Sequence, residues 1–582
     1  MNFSKARLLA GAACCSWALL AGASAKAAEW PFGRLIVFGD SISDSGAYAD
    51  KAPEGAGRFT TNPDPVWVEI MANSYGLSLT SSAVGGLNFA EGGARVAQPR
   101  DDAPGDLSRT PVVDQVDKFL SQGTFRPDDL VIIQGGGNDV FATQTNGLDF
   151  TPADLAVLEA AAGDLAGLLG KVEQAGAQWL VTTSVPMFEP FNAYYRDALA
   201  AAEVNLLYFD TAALIDEIRA DPATYGLVNI TDPACKGSAV QSFRCLPEDL
   251  VTPDANTSYL HADRVHFTGI VHQMMAEATI ATVNAVHRAD AAAQLIHAAE
   301  PASAAWLTAP SERGISLTGS VSGARLNLGG HFLDPTANLF RFNAGVTGSD
   351  AINSAGIGLG YQEADGSVGP GSSLGWHGLG LHAFYERRMG RNRLRLDGGW
   401  SKLGNVELAR RFAIGPATRE EIGETDGSAA AATLTLAREY RAGNLRVEPS
   451  LSIGWRKTKL KGWIEESGQS TSIAVDDLVE ETGELGVGLA VAPAEPGTWS
   501  PFGSARFYRT LWGDPARVTL TPSGAPVAFT APELERSDYR AEVEAGVRGP
   551  VGRAGQVSLG AGWTPLGAAE TLEARLSFLQ RF

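Results

Sequence analysis

An exported α/β domain, a long helix and a C-terminal transmembrane antiparallel β-barrel of about 12 strands form the architecture that the sequence predicts. Three observations carry it. Short apolar runs alternate with helical stretches from Arg34 to about Phe267. An Ala-rich stretch then runs from Thr268 to about Ala299 with no turn signal inside it. From about Gly314 to Phe582 the apolar period becomes two.

At 582 residues the chain exceeds what one hydrophobic core serves, so at least two domains are expected. The 66 glycines and a charged fraction of only 19% fit a large, turn-rich β region. A formal net charge of −20 with no basic run argues against nucleic acid as a partner, because phosphate binding needs clustered Lys and Arg.

Residues 1–25 have the order of a secretory signal: Lys5 and Arg7, an apolar stretch from Leu8 to Leu20, then Ala23-Ser24-Ala25. Cleavage is expected after Ala25 or Ala27. A signal anchor is the alternative, and the apolar stretch is short for a membrane span. Cys14 and Cys15 fall inside this segment, and no Leu stands three residues ahead of Cys14 as a lipid-attachment site requires. Cys235 and Cys245 remain. In an oxidising compartment they can close a disulfide worth about 2–4 kcal/mol, and two thiols are too few for a metal site.

In the α/β region the strand candidates are Leu35–Phe38, Leu130–Ile133, Trp179–Thr183 and Val204–Phe209. Between the second and third lies a helix with clear ends. Thr151 can cap it, Pro152 suits its first turn, Asp154 favours its dipole and Gly176 stops it. The stretch from Thr268 to Ala299 carries Arg288, Asp290, Gln294 and His297, followed by Glu300, which excludes lipid around it. A solvated linker between domains is the alternative. In the last region Phe340, Phe342, Ala344 and Val346 alternate with Arg341, Asn343, Gly345 and Thr347, and Leu445–Trp455 repeats the pattern. Roughly 270 such residues make about 12 tilted strands. A soluble β-sandwich alternates equally well. The export signal, the lack of cysteine after Cys245 and the terminal Phe582 favour the barrel, although Gln580 stands where an apolar residue is usual.

The chemistry lies at loop tips. Phe38-Gly39-Asp40-Ser41 places a serine at the end of the first strand, and a serine hydroxyl needs a base to become a nucleophile. His266 follows Asp263 by three residues, so Asp263 can orient the imidazole; His261 is the alternative base. An oxyanion requires donors, and the candidates are the backbone N–H of Ser41, the backbone N–H of Gly93 and the side-chain amide of Asn138 in a Gly-rich turn. Gly92 is a one-residue alternative to Gly93. No G-x-S-x-G elbow marks the nucleophile, since Ser41 lies in Gly39-Asp40-Ser41-Ile42-Ser43, which disfavours the α/β-hydrolase fold.

With Asn88-Phe89-Ala90-Glu91-Gly92-Gly93, Gly136-Gly137-Asn138-Asp139 and Asp263-Arg264-Val265-His266 following in order, residues 34–270 resemble the GDSL, or SGNH, hydrolases. The resemblance implies a flavodoxin-like α/β/α domain and a carboxylic ester hydrolase with Ser41, Gly93, Asn138 and His266 in its site and no cofactor. The whole chain is similar to GDSL esterase autotransporters. That implies a signal at 1–25, a passenger at 30–270, a helix through the barrel at 271–310 and the barrel at 311–582. It also implies an outer-membrane location with the passenger outside, ester or lipid substrates, lipid around the barrel and the barrel assembly machinery as partners. A phospholipase or acyltransferase, and a non-catalytic adhesin, are the rival readings.

Overall fold

Near-continuous apolar runs suit strands covered on both faces, and four of them form a parallel sheet: β1 (Arg34–Phe38), β2 (Asp129–Ile133), β3 (Trp179–Thr183) and β4 (Leu207–Phe209), in that spatial order. The structure is a computed structural model, and it describes residues 30–99, 109–143, 150–236, 241–300, 306–308, 313–350, 352–495, 499–534 and 536–582. The expected signal at 1–25, with Cys14 and Cys15, lies outside the described residues. On the free side of β1, Val37 bridges Asn88 in parallel, and the Phe89 N–H donates to the Val37 carbonyl at 2.8 Å. β1 therefore has neighbours on both sides, and the loops leaving its C-terminal end diverge to open a crevice. β4 is shorter than the expected Val204–Phe209. Asn205 turns away from β3, and its side-chain amide pairs instead with the backbone of Thr530.

The helices covering the sheet are α1 (Trp67–Ser74), α2 (Val112–Leu120), α3 (Gly137–Thr143), α4 (Pro152–Gln174), α5 (Glu189–Ala202) and α6 (Thr211–Ala220). α4 starts with a reciprocal cap: Thr151 Oγ1 accepts from the Asp154 N–H, and Asp154 Oδ2 accepts from the Thr151 N–H at 2.8 Å. Its end is followed by Gly176 at φ +105°, where only glycine turns without strain. A short parallel pair, β5 (Asn229–Pro233) and β6 (Tyr259–His261), precedes α7 (Gly269–Ala299).

The C-terminal region is a closed antiparallel barrel of twelve strands among the described residues. They are β7 (Gly314–Asn327), β8 (Thr336–Ser349), β9 (Asn353–Ser367), β10 (Ser372–Met389), β11 (Asn392–Ile414) and β12 (Ala417–Arg438), then β13 (Leu445–Leu460), β14 (Leu478–Pro493), β15 (Ser500–Asp514), β16 (Tyr539–Val551), β17 (Gly555–Leu566) and β18 (Glu570–Arg581). β18 pairs with β7 and closes the ring. The period-two pattern separates two solvents. Phe340, Phe342, Ile357, Leu359, Leu379 and Leu381 face outward, whereas Asn343, Gln362, His382 and Glu386 are buried inside.

α7 serves both domains. Its first turns complete the α/β core: Gly269 N–H donates to Thr61 Oγ1 at 3.0 Å, and the Tyr75 hydroxyl donates to Asn284 Oδ1 at 3.1 Å. Farther along, the polar residues meet the barrel. Asp290 pairs with Arg536 at 2.5 Å, His297 bonds Thr458 and Thr482, and Glu300 accepts from Gln362 and Ser401. Asp290, His297 and Glu300, three of the polar residues that exclude lipid around this helix, are thus matched by polar residues of the barrel strands and loops.

β11 and β12, at 23 and 22 residues, are about twice the length that a tilted membrane strand needs, so their hairpin projects from the bilayer. At its tip the Gly415 N–H donates to Glu277 Oε2 at 2.6 Å. Below the tip, Arg419 bonds Glu217 Oε2 and the Tyr225 hydroxyl, each at 2.7 Å. A four-stranded sheet of loop segments, Trp463–Ile464, Ile473–Val475, Thr519–Pro522 and Phe529–Thr530, packs beside it. Within this junction the guanidinium of Arg410 and the carboxylate of Glu465 form a two-pronged pair at 2.6 and 2.7 Å with both side chains buried. Arg410 also donates to the Ala281 carbonyl of α7 at 2.9 Å. Removing one partner strands the other charge. Glu465→Ala is expected to destabilise the junction by about 3–5 kcal/mol, which thermal unfolding of the purified full-length protein will measure.

Candidate active site

The turn after β1 is built by its own side chains. Asp40 Oδ1 accepts from the Ile42 N–H at 3.1 Å and caps the single turn Ser41–Ser43. Asn88, on the neighbouring segment, donates to the Ser43 carbonyl at 2.7 Å and fixes that turn against the sheet. Ser41 Oγ then lies 2.9 Å from His266 Nε2. His266 Nδ1 lies 2.8 and 3.0 Å from the two oxygens of Asp263. A carboxylate at Nδ1 selects the tautomer in which Nε2 accepts, so the Ser41 hydroxyl donates to the ring.

Asp263 accepts three backbone N–H bonds, from Val265, His266 and Ser242, all at 2.8 Å. Burial pushes its carboxyl up, but the His266 charge and these bonds outweigh burial and hold it well below the usual carboxylate range. Burial pulls His266 down; the charge and hydrogen bond of Asp263, with the charge of Asp40 behind them, more than offset this and the net shift is upward. Asp40 itself is raised to about 6, chiefly by burial.

The oxyanion candidates flank Ser41. Asp44 accepts from the Gly92 N–H at 2.8 Å, so that N–H is already engaged. The Gly93 N–H and the Ser41 N–H have no protein acceptor among the described residues, and Gly93 stands at φ +83°. Asn138 lies in the first turn of α3 rather than in a loop, because the Gly-rich turn ends at Gly136 (φ +107°). Its Nδ2 donates to the Ala94 carbonyl at 2.9 Å, which holds the amide beside the Gly93 loop. Asp139 fastens the same loop by accepting from Arg95 Nε and the Val96 N–H, both at 2.9 Å. His261, the alternative base, is elsewhere: buried on β6, stacked on Phe267 and lowered to about 4, first by desolvation. Cys235 and Cys245 are joined in a disulfide.

These groups open onto a cleft of about 1200 Å³. One wall carries Ser41, Gly93, Asn138 and His266; another is apolar, with Phe141, Val185, Met187 and Phe188. Such a cleft offers water and polar atoms to a reacting carbonyl and a greasy surface to its acyl part. The sequence reading missed Asp44, Phe59 and Ser242. Asp44 follows the Ser41 motif directly and carried a local signal; Phe59, whose ring packs 5.1 Å from that of His266, and Ser242 carried none.

An alcohol, an imidazole and a carboxylate in line at the ends of parallel strands, on a domain joined to a closed barrel with an apolar exterior, define a membrane-anchored serine acyl hydrolase. Two family models match the chain: the GDSL-like lipase/acylhydrolase over residues 35–279 and the autotransporter β-domain over residues 318–564. The chain belongs to the GDSL esterase autotransporters, and its barrel resides in the outer membrane. Among similar proteins, one described as an uncharacterized protein in the trpE-trpG intergenic region of Pseudomonas putida is 26% identical over 530 residues, covering 81% of this chain and 87% of that protein. Esterase EstA of Pseudomonas aeruginosa is 24% identical over 546 residues, covering 80% and 82%. The translocator domain of the autotransporter NalP from Neisseria meningitidis aligns with a TM-score of 0.38 at 12% identity, over 46% of this chain and 89% of that one.

A Cβ added at Gly92 would stand 2.1 Å from the ring carbons of Phe59. Gly92→Ala is therefore expected to cost about 1–3 kcal/mol through overpacking and to displace Phe59 from His266, lowering activity as well. Gly163→Ala on α4, where the added methyl meets nothing within 4 Å, is expected to stabilise the fold by up to about 1 kcal/mol. Paired thermal melts and ester hydrolysis assays check both.

Proposed function

We propose that Ser41 is the nucleophile of this surface-anchored carboxylic ester hydrolase, His266 its general base and acid, and Asp263 the group that orients and stabilises the imidazolium. The observation that carries this reading is the continuous hydrogen-bonded line from Ser41 Oγ through His266 to Asp263. Ser41 Oγ attacks the acyl carbonyl as its proton moves to His266 Nε2. The carbonyl oxygen, now an oxyanion, is met by the backbone N–H groups of Ser41 and Gly93 and by the Asn138 amide. Collapse of the tetrahedral species expels the alcohol, which takes the proton from His266. Water then enters by the same route and releases the acid.

The apolar wall of Phe141, Val185, Met187 and Phe188 suits the acyl chain of a short to medium or lipid-type ester. The passenger occupies residues 30–270 and faces the cell exterior, the segment 1–25 is removed on export, and the barrel assembly machinery inserts the barrel. The chain stays whole, held by α7 and by the Arg419–Glu217 and Asn205–Thr530 contacts. Fractionation is then expected to show an outer-membrane species of about 58 kDa, the size left after signal removal, and no free passenger.

Ser41→Ala is expected to abolish hydrolysis of a short-chain aryl ester, with the heat-modifiable mobility of the barrel unchanged; retained activity refutes the assignment. The active imidazole is the neutral one, and its pKa is raised. Activity is thus expected to be full at alkaline pH and to fall as pH drops through a value above about 6.5, the ordinary histidine value. In Asp263→Asn, burial acts with only the Asp40 charge against it. The acid limb is expected to move to lower pH while kcat falls by about 10⁴-fold, as a kcat/KM profile in pH will show.

A further inference from the structure

One donor to Asp263 comes from a distant part of the chain. The Ser242 N–H reaches Asp263 Oδ2 from the first position of the turn Ser242–Arg244, which ends at Cys245. Through the disulfide this turn is tied to Cys235, whose own N–H donates to the carbonyl of Ala262, the residue before Asp263, at 3.0 Å. Buried Asn62 holds the turn from the other side. Its Nδ2 donates to the Ser242 carbonyl at 2.9 Å, and its backbone N–H donates to the Cys245 carbonyl at 3.0 Å. Phe243 packs on Phe59 at 5.3 Å between ring centres, and Phe59 packs on the ring of His266. One short turn therefore touches both the carboxylate and, through a phenylalanine pair, the imidazole.

We infer that this disulfide-closed turn is a positioning device for the acid–base pair: the Ser242 N–H fixes Asp263 facing His266 Nδ1, and the Cys235–Cys245 bond keeps that N–H in place. The inference rests on the triad proposed above. Hydrogen bonds to a charged group are the strong ones in proteins, and a carboxylate that loses one of three backbone donors rotates more freely against its partner. The titratable groups facing this pair are Asp40 from the turn after β1 and the imidazoles of His272 from α7 and His261 from β6, both kept neutral by burial, and none of them bonds Asp263. The positive end of the Ser242 N–H dipole also weakens the field of the carboxylate at the imidazole. Because the Val265 and His266 N–H groups still hold Asp263 Oδ1 beside the ring, the lost dipole outweighs the looser carboxylate: His266 becomes harder to deprotonate and the acid limb of activity moves to higher pH.

Ser242→Pro deletes this N–H. The residue opens a single turn, a position that proline tolerates, and Gln241 before it is extended at φ −69° and ψ 138°, as a residue preceding proline must be. Ser242→Ala keeps the N–H and loses the hydroxyl, so the difference between the two variants belongs to the N–H. Both are assayed as full-length protein in outer membranes, with competent sites counted by saturating fluorophosphonate labelling. Relative to Ser242→Ala, Ser242→Pro is expected to show kcat per labelled site lowered about tenfold or more, KM within about twofold and the acid limb at higher pH. A purely structural role predicts fewer labelled sites with an unchanged kcat per site and an unchanged limb, and that outcome overturns the inference. Reduction of the wild-type disulfide, verified by alkylation of both thiols, is expected to give the same per-site changes and carries the test if Ser242→Pro does not fold. An unaltered rate and profile in the reduced protein overturns it equally. Ser41→Ala runs in parallel. Activity retained there topples the triad itself, whereas an inactive Ser41→Ala beside an unaffected Ser242→Pro topples only the positioning role.

Discussion

A carboxylate can steady an imidazolium inside a protein only if it stays ionised there, and the triad proposed for this molecule depends on how Asp263 meets that condition. Burial works against the charge. Two stretches of chain oppose it by turning backbone N–H groups inward, Val265 and His266 from its own loop and Ser242 from the disulfide turn. Because those stretches lie about twenty residues apart, the charge is secured only when the loops at the rim of the sheet have closed together. The same loops set Phe59 on His266 and engage the Gly92 N–H with Asp44, and the next residue, Gly93, lines the cleft. Site geometry and loop packing therefore rest on the same contacts.

α7 answers a different constraint. A helix that crosses from a protein core into a barrel lumen meets two environments and must change character along its length. Val271, Met274 and Met275 pack into the core shared with α1 and the sheet. From Asp290 onward the partners become Arg536, Thr458, Thr482, Gln362 and Ser401. Asp290, Gln294, His297 and Glu300 each find a partner, and an unpaired polar group there costs on the order of 1–3 kcal/mol.

Much of this was legible in the sequence where the information is local. The period of two in the barrel, the ends of α4 and the span of α7 follow from alternation, capping residues and the absence of turn signals, and the observed Gly269–Ala299 differs from the expected Thr268–Ala299 only by the capping residue. The residues of the candidate site were legible too, as four short segments at strand ends. Contacts between segments far apart in sequence were not. Ser242 lies 21 residues from Asp263 and belongs to no pattern. Arg410 and Glu465 lie 55 residues apart on a strand and a loop, and nothing in the local sequence pairs them. β4 starts at Leu207, while Asn205 bonds a residue 325 positions away that no window around Val204 contains. Asn138 was misplaced by a single turn, since glycines that end a loop and glycines that begin a helix read alike.

The junction also bears on how the enzyme is mounted. The passenger meets the barrel through paired charges and reciprocal amide bonds, Arg419 with Glu217 and Asn205 with Thr530, as well as through apolar packing of Trp179 against Phe529 at 5.5 Å. A flexible tether would need none of these contacts, and a passenger meant for release would bring the charged partners back into water once it left. Complementary groups on both sides, with the buried Arg410–Glu465 pair between them and α7 running through both domains, instead fix one orientation of the cleft relative to the barrel. The hydrolase domain is thus coupled to its anchor by packing as well as by chain connectivity. The barrel's projecting hairpin touches the hydrolase domain at α6 and α7, the elements that carry Glu217 and Glu277.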